Sequence, residues 1–173
     1  MPETGAGEDA AMHLVPILQG LVLVFVANGA PILATRFFGA WGAAPLDFGA
    51  RWLDGEPLFG HSKTIRGILA SLAAAALAAP LIRLDWRVGA LAAGAAMAGD
   101  LFSSFIKRRL KLPPHSMAPG LDQAPESLLP LIVCAAPLGL TLTDVVVATL
   151  LFWIGVVILS RALFSLKIRE RPY

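Results

Sequence analysis

Leu14 to Phe38 is a 25-residue stretch whose polar members are Gln19, Asn28, Thr35 and Arg36. As a helix it is long enough to cross ~30 Å of hydrocarbon with some tilt. Few soluble folds have a use for such a segment. Four more apolar runs follow, at Ile68–Ile82, Val88–Ile106, Leu128–Leu142 and Val145–Leu166. Charged residues make up 15% of the chain and mean hydropathy is +0.71, against about 25% charged in soluble domains. The expected fold is all-α: a polytopic membrane helix bundle of five transmembrane helices, forming one domain over residues 1–173. Residues 1–12 are expected to be a flexible tail. They lack the basic region of a signal peptide, so no cleavage is expected.

Topology follows from where the cations fall. With five crossings, the connection after the first, the loop after the third and the C-terminus share one side. That side holds 12 of the 14 Lys and Arg, and Arg83 and Arg87 face the other. The positive-inside rule then puts the N-terminus out and the C-terminus in. The expected location is the cell (inner) membrane, with the site on its cytoplasmic side. Residues 39–66 mix Trp41, Phe48, Trp52 and Phe59 with Asp47, Arg51, Asp54 and Glu56, as an amphipathic interfacial segment does. A net charge of +2 gives no reason to expect a nucleic-acid partner. The lone Cys134, in an apolar run, is expected to be a buried packing residue.

The polar residues within and beside the apolar runs carry the chemistry. Asp100, Ser103, Ser104 and Lys107 fall at i, i+3, i+4 and i+7, one helix face. An ionisable group at membrane depth points to function. Lys107, Arg108 and Arg109 close that run, and Pro113-Pro114 breaks it. Asp122 and Glu126 follow at i and i+4. His115 reads as a solvated loop residue. Lys63, Thr64 and Arg66 precede the second run near Gly67. A helix N-terminus with adjoining cations suits an anion, and equally the cations suit headgroup anchoring. Asn28 and Pro31, deep in the first run, fit either a kink with a locally satisfied amide or a cavity wall. Carboxylates, hydroxyls and cations together are the parts of a Mg²⁺-dependent phosphoryl or nucleotidyl transfer site. Nucleophile-elbow, Walker, dinucleotide and zinc-protease motifs are absent from the sequence.

Three stretches of this chain resemble the CDP-archaeol synthase family, which is related to phosphatidate cytidylyltransferases. They are Ala27-Asn28 with Pro31; Pro45-Leu-Asp-Phe-Gly49 through Lys63-Thr-Ile-Arg-Gly67; and Gly99-Asp-Leu-Phe-Ser-Ser-Phe-Ile-Lys-Arg-Arg109 through Ala118-Pro-Gly-Leu-Asp-Gln123. The resemblance implies five spans, CTP as donor, a glycerolipid phosphate as acceptor, and Mg²⁺. On this reading Lys63, Arg66, Asp100, Lys107 and Asp122 are catalytic. Asn28, Thr64, Gly67, Ser103, Arg108 and Arg109 bind substrate. Asp100, Asp122 and Glu126 hold metal. The related enzymes carry Asp-Arg-x-Asp where this chain has Asp122-Gln-Ala-Pro-Glu126, so its second acid is shifted. A phosphatidate cytidylyltransferase making CDP-diacylglycerol and a non-catalytic membrane scaffold remain the alternatives, and a homodimer is compatible with each.

Overall fold

The computed structural model describes residues 13–112 and 120–165, with side chains through residue 161. The N-terminal tail, the Pro113-Pro114 break, His115 and the basic C-terminal residues 167–171 lie outside the described residues.

The described residues form six helices: α1 Leu14–Phe38, α2 Ile65–Leu81, α3 Trp86–Arg109, α4 Gln123–Val133, α5 Ala135–Leu138 and α6 Leu142–Ser165. Among the described residues there is no strand, only the isolated bridges Pro45–Thr64 and Arg51–Pro57. Helices α1, α3 and α6 are long and apolar enough to cross a membrane, and α2 is a shorter apolar helix. The first, third and last expected runs match α1, α3 and α6 closely.

The run expected as one span at Leu128–Leu142 is different. Its helix starts earlier, at Gln123, and is interrupted at Cys134 before a single further turn. Pro137 is the physical reason, because it has no N–H to offer the Val133 carbonyl. Gly139 then closes α5 in the left-handed region, at φ 68°.

Contacts along the helices fix their directions. Arg66, at the start of α2, reaches Gly39 at the end of α1, and Gln19 near the start of α1 bonds Ile82 at the end of α2. Helices α3 and α4 oppose each other likewise: Gly99 faces Pro125, and Cys134 approaches Val88. Helix α6 runs parallel to α1, with His13 against Asp144 and Phe25 against Phe152 and Gly155.

Large side chains such as Phe152, Leu131 and Val24 fill the core between α1, α4 and α6, whereas the region around α2 and α3 is built from small ones. Ala75, Ala79, Ala92, Ala93 and Ala96 are buried between α2 and α3, while Leu69, Leu77, Phe102, Leu150 and Ile154 point outward. Large apolar groups outside and small ones inside are what a lipid solvent selects. At Gly89 an added Cβ would lie 2.1 Å from the Ala75 carbonyl oxygen, and at Gly99 the same distance from that of Pro125. Only glycine lets these helices approach so closely.

Two prolines are used in one way. Pro31 cannot donate to the Ala27 carbonyl, and Ser71 Oγ of α2 donates there instead, at 2.8 Å. Pro130 cannot donate to the Glu126 carbonyl, and Asn28 Nδ2 of α1 lies 3.4 Å from it. In a bilayer a backbone carbonyl must find a donor within the protein, so each proline binds its helix to a neighbour.

Candidate active site

Residues 39–64 form the platform beside the start of α2 and the end of α3. The segment expected to be amphipathic and interfacial is a folded, non-helical loop, with Trp41, Phe48 and Leu53 exposed. Its centre is Asp47, whose carboxylate accepts from the N–H groups of Gly49, Phe59 and Gly60. Burial works to raise the Asp47 pKa, but these backbone hydrogen bonds together outweigh it and hold the carboxyl below its ordinary value. Leu46 N–H donates to the Lys63 carbonyl at 2.7 Å, and Ile65 N–H to that of Ala44 at 3.1 Å. The loop thereby fixes the backbone on either side of Thr64.

From this seat Lys63 crosses to α3. Its Nζ lies 2.6 Å from both carboxylate oxygens of Asp100. Two turns on, Lys107 Nζ lies 2.6 Å from Asp122 Oδ1, at the entry to α4. All four side chains are mostly but not wholly shielded. Glu126, one turn into α4, lies within reach of the charges of Asp100, Lys63, Asp122 and Lys107. Asn28 reaches the backbone of this same residue from α1. Residues from α1, the loop, α3 and α4 thus meet at one place, and the Asp100 and Asp122 sides of it are close enough to act on a common carboxylate.

The remaining expected site residues have structural partners. The Thr64 hydroxyl oxygen accepts from Gly67 N–H at 3.1 Å, capping α2. Gly67 lies against Pro31, where a Cβ would come within 3.4 Å of the ring. Arg66 donates to the carbonyls of Gly39 and Trp41. Arg109 pairs with Asp54 at 3.0 Å and donates to the Pro57 carbonyl at 2.6 Å. Its guanidinium lies over the Phe105 ring, which also meets Trp52 edge-on. Arg66 and Arg109 therefore fasten the platform to the helices. Ser103 is buried and donates to the Asp100 carbonyl of its own helix. Arg108 stands at the end of α3 between Lys107 and Arg109 and is partly buried.

At the opposite end lies a cluster that the sequence reading missed. The buried Asp144 carboxylate accepts from the Thr141 N–H and hydroxyl and from the His13 backbone N–H, with His13 Nδ1 at 3.0 Å. Thr141 in turn accepts from Asp144 N–H. Thr141-x-x-Asp144 is a capping box, legible as such. The His13 contact, from 131 residues away, carried no local signal.

Residues 13–173 match the family model described as CarS-like, CDP-archaeol synthase. The chain belongs to the CDP-archaeol synthase family. This bears out the resemblance carried by the three stretches and places the chain among enzymes, as a nucleotidyltransferase. The CDP-archaeol synthase of Pyrococcus furiosus is 37% identical over 82% of this chain and 90% of its own length. That of Methanopyrus kandleri is 36% identical over the whole of both chains. A solved structure described as an intramembrane enzyme for archaeal membrane lipids biosynthesis superposes with a TM-score of 0.68. It is 32% identical and covers 79% of this chain and 87% of that one. With its apolar helices, this member of the CDP-archaeol synthase family is an integral membrane protein.

Proposed function

We propose that the chain transfers the cytidylyl group of CTP to the phosphate of a membrane glycerolipid, forming a CDP-archaeol-type lipid and pyrophosphate. The observation that carries this reading is the meeting of Lys63–Asp100, Lys107–Asp122 and Glu126 at one place. An oxygen of the lipid phosphate attacks the α-phosphorus of CTP in line, and the bond to the bridging β-oxygen breaks. Such chemistry rests on positioning and charge neutralisation, and needs no covalent nucleophile. Lys63 and Lys107 are placed to meet phosphate oxygens, and Arg108 adds positive potential.

The oxygen donors Asp100, Asp122 and Glu126 suit Mg²⁺ in kind. Among the described residues no three such side chains converge at ligating distance. This fits a cation that takes one or two carboxylates and completes its shell with substrate phosphates and water. When bound, Mg²⁺ would neutralise triphosphate charge and orient the leaving pyrophosphate.

In the membrane, α4 and α5 together would make the crossing between α3 and α6, giving five spans. The cation count puts the N-terminus out and the site on the cytoplasmic side of the cell membrane. Helix α1 runs on from Asn28 to Phe38, a further ~15 Å, so the charged cluster would lie below the membrane surface. The lipid phosphate could then be met without leaving the bilayer.

The test is pyrophosphate release by purified protein with each of four nucleotides and with isoprenoid-ether or diacyl glycerol phosphates. CTP with an ether lipid, active in Mg²⁺ and silent in EDTA, is the expected pair. A preference for the diacyl lipid would make the chain a phosphatidate cytidylyltransferase. Silence with every pair would overturn the proposal.

A further inference from the structure

A cavity of about 340 Å³ lies between α1 and α2, at the end of the bundle away from the charged cluster. Its volume falls in the range that holds small ligands. Val15, Leu18, Gln19 and Val22 form the α1 wall. They fall at i, i+3, i+4 and i+7, a single stripe of the helix. Leu81, Ile82 and Arg83, where α2 ends, form the other wall. Gln19 Nε2 donates to the Ile82 carbonyl at 2.9 Å and ties the two walls together. Val15, Leu18, Val22 and Leu81 are exposed, and so is Leu77, one turn back along α2. In a membrane this trough opens to lipid.

Arg83 occupies a position that suits glycine. Leu84 N–H donates to the Ala79 carbonyl and Arg83 N–H to that of Pro80, the pair of bonds that closes a helix in a Schellman motif. The left-handed residue of that motif is Arg83, at φ 63°, where a side chain is disfavoured. A local strain of this kind is kept where the side chain has a use. Among the described residues no carboxylate pairs with Arg83. The neighbouring Asp85 carboxylate is engaged by Arg87 N–H, at the start of α3.

An arginine just past the end of an apolar helix lies at headgroup depth. A phospholipid carries its phosphate at that depth and its hydrocarbon below. Guanidinium meets phosphate through paired hydrogen bonds, and the trough beside it is greasy. We propose that this α1–α2 cavity binds one anionic phospholipid, with the phosphate on Arg83 and a tail against Leu18, Val22 and Leu81. On the proposed topology the lipid belongs to the outer leaflet, apart from the substrates. It fills the gap between the helices and holds α1 to α2. The chain's own residues 1–12 carry Glu3, Glu8 and Asp9, but no run of large apolar side chains to match the trough.

The test uses the full chain in detergent without CTP, so its outcome is separate from that of the enzymatic reading. Phosphatidylglycerol is the probe, and phosphatidylcholine with the same tails is the control without net charge. The expected result is a rise of about 4 °C in melting temperature at roughly tenfold excess of phosphatidylglycerol over Kd, and less than half of that with phosphatidylcholine. Native mass spectra should show a single phosphatidylglycerol retained. Arg83→Gly relieves the backbone and removes the charge. Its lipid-free melting temperature should hold or rise, while the lipid shift and the adduct are lost. Arg83→Lys should keep most of the shift. Leu18→Trp, which fills the trough, should lose it with Arg83 still in place. Equal shifts with the two lipids, or a full shift in Arg83→Gly, would overturn the proposal. So would a full shift from soluble glycerol phosphate, which has no tail. A wild type indifferent to lipid, whose melting temperature falls when residues 1–11 are removed, would give the trough to the chain's own N-terminal segment instead.

Discussion

The two ends of the bundle each hold a shielded carboxylate beside a helix start, and they treat it in opposite ways. At the α1–α6 end, Asp144 is fully buried and receives donors from Thr141 and His13. At the other end, Glu126 lies among two ammonium–carboxylate pairs, Lys63–Asp100 and Lys107–Asp122. These donors make the first a clasp, since a buried carboxylate held by its own helix start and by His13 is taken up in joining α1 to α6. The second end gathers charged groups that are only partly shielded, an arrangement that marks a candidate functional site.

Removing charge should separate the two ends most sharply. Asp100→Asn or Asp122→Asn is expected to lower turnover on the order of 10²–10³-fold, the scale of losing a key electrostatic contact at a reacting centre. The melting temperature should move little, because each amide keeps its partner's shape. Pyrophosphate release alongside thermal unfolding checks both. Near-normal turnover in either variant would remove the distinction between the ends.

Next in size is the seam joining α3 to α4. Gly99→Ala puts a Cβ 2.1 Å from the Pro125 carbonyl oxygen, so the helices must part. A cost of about 1–3 kcal/mol is expected from such overpacking, with turnover falling because Asp100 and Glu126 flank that contact. Gly94→Ala, whose Cβ would meet nothing within 4 Å, is the matched control for unfolding and activity.

The clasp should show the reverse pattern. Asp144→Asn is expected to lower the melting temperature by a few degrees while leaving kcat/KM intact, since it loses acceptor capacity far from the charged cluster. A loss of activity without a loss of stability would erase the contrast.

The smallest effect concerns the platform. The Asp47 pKa is lowered in the folded protein, so the contribution of its charge is complete above the ordinary value of 3.8. It is lost as pH falls through the lower folded value. Asp47→Asn should flatten the melting temperature against pH in that acid window. Parallel curves for the two proteins would show that the carboxylate does not set the loop's acid response.

Much of the fold was legible because lipid makes a simple demand. Length and apolarity alone delimit α1, α3 and α6. Helical spacing turned Asp100 and Lys107 inward together, where Lys63 and Asp122 meet them. The partners themselves were not legible: Lys63 and Asp100 are 37 residues apart, and no periodicity connects a loop lysine to a helix carboxylate. Arg66 and Arg109 show the same limit from the other side. Their charge and position suit phosphate, and loop carbonyls and Asp54 also hold them, because a folded loop at a helix end has acceptors that sequence does not display. Pro137 was visible, but whether a proline kinks a helix or divides it depends on what fills the freed carbonyl.

Ser71 and Asn28 answer to two such carbonyls. Hydrocarbon tails resemble leucine so closely that greasy helix surfaces have little reason to prefer one angular setting over another. A helix mis-set by a single residue swings its side chains through about 100°, and both hydroxyl and amide would then miss their sockets. Paired with a proline apiece, these contacts act as index pins, holding α1 at one rotational setting against two neighbours at once. The placement of Lys63, just before α2, relative to Asp122, at the entry to α4, inherits its accuracy from them.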